Sequence, residues 1–199
     1  MGQALAQTYD RNLLSYAVKA ARDPSGLGAG AVGQGDAYSA DLGDTPTVQN
    51  IIDGIYDAAE AFDVANIPMQ DRHVVVPPSV YWGIITNDKL LDKDYSSNTG
   101  SYVDGKVPVV AGFKVHKSNN LAVNHVSATV DYGTKYQIDA SHTKFLCLTK
   151  EAMATVKLME LASEMEYDIR RQGTLMVTKM AVGHGILRPE GIYEGRATP

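Results

Sequence analysis

Near the end of the chain two long apolar-rich segments stand back to back, residues 152–168 and 174–187, joined by Ile169-Arg170-Arg171-Gln172-Gly173. In the first, Met153, Thr155, Lys157 and Met159 alternate with Ala154, Val156, Leu158 and Glu160. A period of two is the pattern of a half-buried strand, because successive strand side chains point to opposite faces. The second segment mixes apolar residues with Thr178, Lys179 and His184. The connection suits a turn, with Gly173 free to take positive φ. A helix is the competing reading of the first segment, since Met, Ala, Leu and Glu are strong helix formers. Read as strands, the two segments form an extended ribbon, longer than a compact domain needs for its own core.

The chain of 199 residues is long enough for one ordinary domain or two small intertwined ones. A net charge of −5 argues against a surface that grips nucleic acid. It leaves room for a wall that encloses DNA without binding its sequence. The single cysteine, Cys147, excludes an intramolecular disulfide, so stability must come from packing. A reducing compartment fits that usage. No continuous apolar run reaches the length of a membrane-spanning helix. The start, Met1-Gly2-Gln3-Ala4, lacks the basic and apolar regions of a signal peptide. No internal repeat is evident.

Three helices are expected before the ribbon. Over residues 3–22, Leu5, Tyr9, Leu13, Tyr16 and Ala20 make one apolar stripe, and Asp23-Pro24-Ser25-Gly26 stops it. Over 47–65, Val48, Ile51, Ile52, Ile55, Tyr56, Ala59 and Phe62 do the same, with Thr45 as cap and Pro46 in the first turn. Asp53, Asp57, Glu60 and Asp63 fall on the other side as a solvated face. A third helix is expected over 79–91 after Pro77-Pro78, with Trp82 as a core anchor. Strands are expected at 72–76, at 107–117 with an interruption at Gly112, at 145–149, and as a last edge strand at 192–197. Residues 25–44 and 92–106 read as loops. The class is α+β.

The search for chemistry yields little. Gly28-Ala29-Gly30-Ala31-Val32-Gly33 matches a dinucleotide-binding glycine pattern, with Asp53 at a suitable distance. That pattern needs a preceding strand and a following helix, so that a pyrophosphate meets the helix N-terminus. Here a helix precedes and no helix immediately follows. The histidines His73, His116, His125, His142 and His184 include no helical pair with the spacing of a zinc protease. A Cys147–His142 nucleophilic pair is conceivable, but Cys147 lies in an apolar strand, where thiols are usually inert. Flanking glycines at His184 suit a bend or a close backbone approach. No catalytic, cofactor or metal residues are expected.

The run ATVKLMELASEMEYDIRRQGTLMVTKMAVGHGILRPEG, residues 154–191, resembles the carboxy-terminal part of major capsid proteins from short-tailed, T-seven-like phages. TVKL at Thr155–Leu158 and AVGHGILRPE at Ala181–Glu190 carry the resemblance most strongly. RHVVVPPSVYWGIIT (72–86) and VAGFKVHKSNNL (110–121) match more loosely. The resemblance implies the Hong Kong 97-like fold: a peripheral domain (1–46 and 145–199, spine helix plus long β-ribbon) and an axial domain (47–144, mixed sheet flanked by helices). Family members carry an amino-terminal arm and an extended loop ahead of the spine helix, and this chain begins almost at the helix. The implied function is a non-enzymatic subunit that self-assembles into hexamers and pentamers of an icosahedral head around double-stranded DNA. It would be made in the host cytoplasm and end in the virion. Scaffolding and portal proteins are the implied partners, with no membrane and no cofactor. Expected intersubunit contacts are Asp92, Asp94 and Asp104 with Lys93 and Lys106 on one loop, and Arg170 and Arg171 at the ribbon turn. The alternatives are an encapsulin-like protein compartment and a nucleotide-binding enzyme using Gly28–Gly33.

Overall fold

The computed structural model describes residues 2–22, 39–86, 109–121 and 136–198. The glycine pattern at 28–33 and the loop at 92–106 lie outside them. Among the described residues, three α-helices, α1 (Gly2–Arg22), α2 (Val48–Val64) and α3 (Pro78–Ile85), accompany eight strands. The strands are β1 (Ser39–Asp41), β2 (Arg72–Val76), β3 (Val109–Val110), β4 (Phe113–Lys117), β5 (Thr143–Thr149), β6 (Met153–Asp168), β7 (Gly173–Ile186) and β8 (Ile192–Arg196). Six of them form one mixed sheet in the order β1-β8-β5-β2-β4-β3, and β6 and β7 form a separate ribbon. The strand reading of residues 152–187 therefore holds over its helical rival. Strands of the sheet come from both sides of the 144/145 boundary.

β5 is the strand that both layers share. Its sequence Phe145-Leu146-Cys147-Leu148 is apolar at every position, as a strand covered on both faces requires. Phe145 and Cys147 enter a core with Ile51, Ile55, Ala58 and Phe62 of α2, Val74 and Val76 of β2, and Ile84 of α3. Leu146 enters the opposite core with Leu14, Ala17, Val18 and Ala21 of α1 and with Ile192 of β8. Gly195 of β8 lies so close to the Phe145 ring that a Cβ there would collide with it. β8 runs between β1 and β5, so it is an interior strand and not the edge its terminal position suggested. The edge is β1, three residues in parallel register with β8 inside a stretch read from composition as loop.

The helices differ from expectation in detail. Only the second half of α1 is buried, including Tyr16 and Ala20 of the expected stripe together with Leu14, Ala17, Val18 and Ala21, while Leu5, Tyr9 and Leu13 are half-exposed. The cap of α2 is Thr47, whose hydroxyl accepts from the Asn50 backbone N–H at 3.3 Å, two residues beyond Thr45. Tyr56 is exposed. α3 ends at Ile85, and Trp82 is 53 % exposed, so it does not anchor the core. Lys117 lies over the Tyr81 and Trp82 rings instead, at 5.4 and 5.5 Å. Between β3 and β4 the chain turns through Ala111 (φ 49°) and Gly112 (φ 82°), the paired left-handed residues of a two-residue hairpin.

α1 is fixed to the sheet by a buried ion pair. Glu194 is fully buried, and Arg22 donates to it twice, from Nε at 2.7 Å and from Nη2 at 2.6 Å. The Thr143 hydroxyl donates to the same carboxylate at 2.5 Å, and Arg22 Nη1 donates to the Asp139 carbonyl at 2.7 Å. Breaking one side leaves a buried charge without compensation, which typically costs about 3–5 kcal/mol. Arg22→Met is therefore expected to lower unfolding free energy in urea by about that amount, and Arg22→Met with Glu194→Leu to recover most of it. Cys147 is buried in β5, and burial pushes its thiol well above the ordinary range. His142, its conceivable partner, is exposed at the turn before that strand. Cys147 should resist thiol reagents in the native protein and react only on unfolding; ready labelling of the folded chain would contradict this burial.

Candidate functional site

Among the described residues, the ribbon carries most of the large apolar side chains left in solvent. β6 has 16 residues and β7 has 14, against a usual strand of about 5–6. The two extra residues of β6 are absorbed at irregularities between Lys157 and Met159 and between Met159 and Ala162. One bulge would move every later side chain of β6 to the other face, and a second restores the first arrangement. The alternation read from the sequence thus holds through Lys157 and fails locally. Met159 pairs with Ala181 and leaves the face shared by Met153, Thr155 and Lys157.

Beyond the bulges the register sorts the two faces by charge. Ser163↔Thr178, Met165↔Met176 and Tyr167↔Thr174 form one face, with no Asp, Glu, Lys or Arg on it. Ala162↔Lys179, Glu164↔Val177, Glu166↔Leu175 and Asp168↔Gly173 form the other. Lys179 donates to Glu164 at 2.6 Å across that second face, an exposed pair of small energetic weight. Large apolar side chains stay in solvent along the whole length, including Leu158 (85 % exposed), Met165 (71 %) and Ile169 (80 %). Such a run exceeds scattered surface apolarity and marks an interaction surface.

At the tip, residues 169–172 make the turn, and the left-handed residue is Gln172 (φ 48°) rather than Gly173. Arg170 and Arg171 are exposed there. The Arg170 backbone N–H donates to Asp168 at 2.9 Å, and the Arg171 guanidinium stands 3.8 Å from the same carboxylate. Of the expected contact residues, these two are adjacent at the tip. Asp92, Lys93, Asp94, Asp104 and Lys106 lie outside the described residues.

The base of the ribbon is held. The Thr155 hydroxyl and His184 Nδ1 are 3.0 Å apart across β6 and β7. Tyr9 of α1 donates to Thr155 at 3.3 Å and meets the His184 ring edge-on at 4.8 Å. The His184 backbone N–H donates to the Tyr136 hydroxyl at 3.4 Å. His184, flanked by Gly183 and Gly185, is thus a buried structural residue beneath α1.

A histidine pair escaped the sequence reading. His73 on β2 and His116 on β4 meet with Nδ1 and Nε2 2.9 Å apart and ring centroids 5.1 Å apart. The parallel pairing of β2 with β4 creates this contact across 43 positions of sequence, so no local spacing announces it. Partial burial, then His116 and Lys114, hold His73 below the ordinary histidine range, against an opposing pull from Asp71. Among the described residues no group of three or more His, Cys, Asp or Glu is arranged to hold a metal ion. Likewise no described helix is long and apolar enough to cross a membrane.

Comparison with known proteins gives this geometry a context. Residues 1–194 match the Gp10A-like family, described as major capsid protein. No curated protein matches the chain. The capsid structure of cyanophage P-SCSP1u is similar with a TM-score of 0.82 at 30 % identity, covering 100 % of this chain and 64 % of that one. The mature capsid of bacteriophage PhiM1 is similar at 0.80 and 20 % identity, over 100 % and 63 %. A virus-like particle from Pyrococcus furiosus, at 0.57 and 11 % identity over 98 % and 64 %, shares the fold. The chain thus spans somewhat less than two thirds of the length of the first two capsid proteins. With its α+β architecture of the Hong Kong 97-like kind, the chain belongs to the Gp10A-like family of major capsid proteins.

Proposed function

We propose that the chain is a structural subunit, rather than a catalyst, that associates with copies of itself into the hexamers and pentamers of an icosahedral phage head enclosing double-stranded DNA. The observation that carries this reading is the ribbon. It presents many large apolar side chains that the described residues leave largely exposed. Burying each such side chain in a neighbouring copy would stabilise the assembly by about 1.5–3 kcal/mol. Association of two bodies costs about 4–15 kcal/mol. Several residues must therefore be covered together, which the ribbon's length allows. The uncharged Met165, Tyr167 and Met176 face suits an apolar contact, and the Glu164, Glu166 and Asp168 face suits a charged rim. Closed rings then follow from repeating one contact around an axis.

The family match and the likeness to phage capsids support this reading over a nucleotide-binding enzyme and over a cellular compartment. Several finer points belong to the same proposal. Asp92, Asp94 and Asp104 pair with Lys93, Lys106 or other basic groups of a neighbour, and Arg170 and Arg171 reach from the ribbon tip to another copy. A peripheral unit of residues 1–46 and 145–199 is separate in role from an axial unit of residues 47–144. Scaffolding and portal proteins act as assembly partners, and the finished subunit resides in the virion.

Met165→Lys with Met176→Lys is the direct test, because two cations on the uncharged face would be costly to bury. Sedimentation velocity should give large particles or rings for the unaltered protein, and monomers for the variant with an unchanged circular dichroism spectrum. Normal assembly of the variant would remove the ribbon from the contact. A parent protein that stays monomeric at every concentration would remove the capsid function itself.

A further inference from the structure

We propose that His73 and His116 form a two-point chelate for a divalent transition-metal ion on the surface of the six-stranded sheet. Each strand supplies one imidazole, and each is held from behind. Val74 and Val76 of β2 and Phe113 of β4 are buried in the α2 core, with Val115 packed against it. Strand alternation turns His73 and His116 to the opposite face, where His116 is exposed and His73 half-buried. The two backbones are hydrogen-bonded neighbours in parallel register. The rings are therefore brought together by the fold and not by loop motion.

The separation is short enough for one ion to bridge the two rings. Metal–imidazole bonds run about 2.0–2.1 Å. Two nitrogens 2.9 Å apart subtend roughly 90° at a shared metal, once the exposed His116 ring turns from facing His73 to facing the ion. That is the cis angle of square-planar or octahedral coordination, which copper(II) and nickel(II) adopt with nitrogen ligands. A tetrahedral ion such as zinc, at about 109°, needs the nitrogens roughly 0.4 Å farther apart. Protons balance without release. The one N–H shared between the facing nitrogens moves to the outer nitrogen of its ring, leaving His73 Nδ1 and His116 Nε2 both as lone-pair donors. Lys114 beside the pair opposes a bound cation, and Asp71 favours it. The remaining coordination positions are open to water or to a side chain of another copy. This inference does not depend on the assembly reading.

Copper(II) chloride titrated into the full chain tests it, read by calorimetry and by electron paramagnetic resonance. One ion per chain should bind, with a signal split by two imidazole nitrogens. His116→Gln or His73→Gln should each weaken binding by about 10²-fold, since either loss removes the chelate. The double variant should lose little more, because the two act as one unit. His142→Gln, at an exposed histidine outside the pair, should stay within about threefold. Losses below about threefold in both single variants, or an equal loss in His142→Gln, would overturn the proposal. So would a signal from a single nitrogen. His116 is exposed, so its variant keeps the fold and isolates the ligand effect.

Discussion

A carboxylate buried in the middle of a sheet dictates how this molecule is put together. Glu194 lies on β8, between β1 and β5, with no access to solvent. Desolvating an ionised carboxylate is tolerable only with a cation and enough hydrogen bonds around it. Arg22 and Thr143 complete that set, and the Asp139 carbonyl accepts from Arg22 in turn. The cation comes from the last residue of α1, so the requirement fixes where the helix ends and in which direction it leaves. The apolar face of Leu14, Ala17, Val18 and Ala21 then seals the sheet beneath it. Its first half, beyond the sheet, reaches the ribbon base at Tyr9, Thr155 and His184. One polar cluster thereby orients both the helix and the hairpin that extends past the core.

The ribbon follows a different logic from the sheet. A two-stranded antiparallel pair is marginally stable alone in water, and three strands or a packed face are normally needed. Here α1, Tyr136 and the second core steady only the base. The outer part keeps its hydrogen-bonded register with little covering it. Its apolar residues are costly in an isolated monomer and become favourable contacts when a neighbour covers them. The paired bulges maintain an uncharged face along the outer half, which a single bulge would have exchanged for the acidic one.

Much of this could be read before any coordinates. Alternation over 153–157, the good stripe of α2 and the all-apolar Phe145–Leu148 run each follow from local physics that tertiary context left intact. The family resemblance rested on AVGHGILRPE, whose residues form the end of β7 and the turn into β8. What stayed hidden depended on pairing between distant segments. β1 is three residues without strand composition, and only its place beside β8 makes it a strand. The stripe expected for α1 is buried at Tyr16 and Ala20 and only half-covered at Leu5, Tyr9 and Leu13, because the partners on β5 and β8 meet only the second half of the helix. Trp82 looked like core by size, yet the sheet beneath α3 is filled by Val80, Tyr81, Ile84 and Ile85. The bulges follow from two strands of unequal length closing on a common tip, and the His73–His116 pair from parallel strands brought side by side. Neither has a local signature.

Hydrogen exchange on assembled particles, compared with dissociated chains, addresses the central claim that the outer ribbon finds its packing only in another copy. In the free chain, amides over 160–180 should exchange much faster than those of β5, while in the particle they should become comparably protected. A ribbon already as protected as β5 in the free chain, or one that stays unprotected within the particle, would contradict the account.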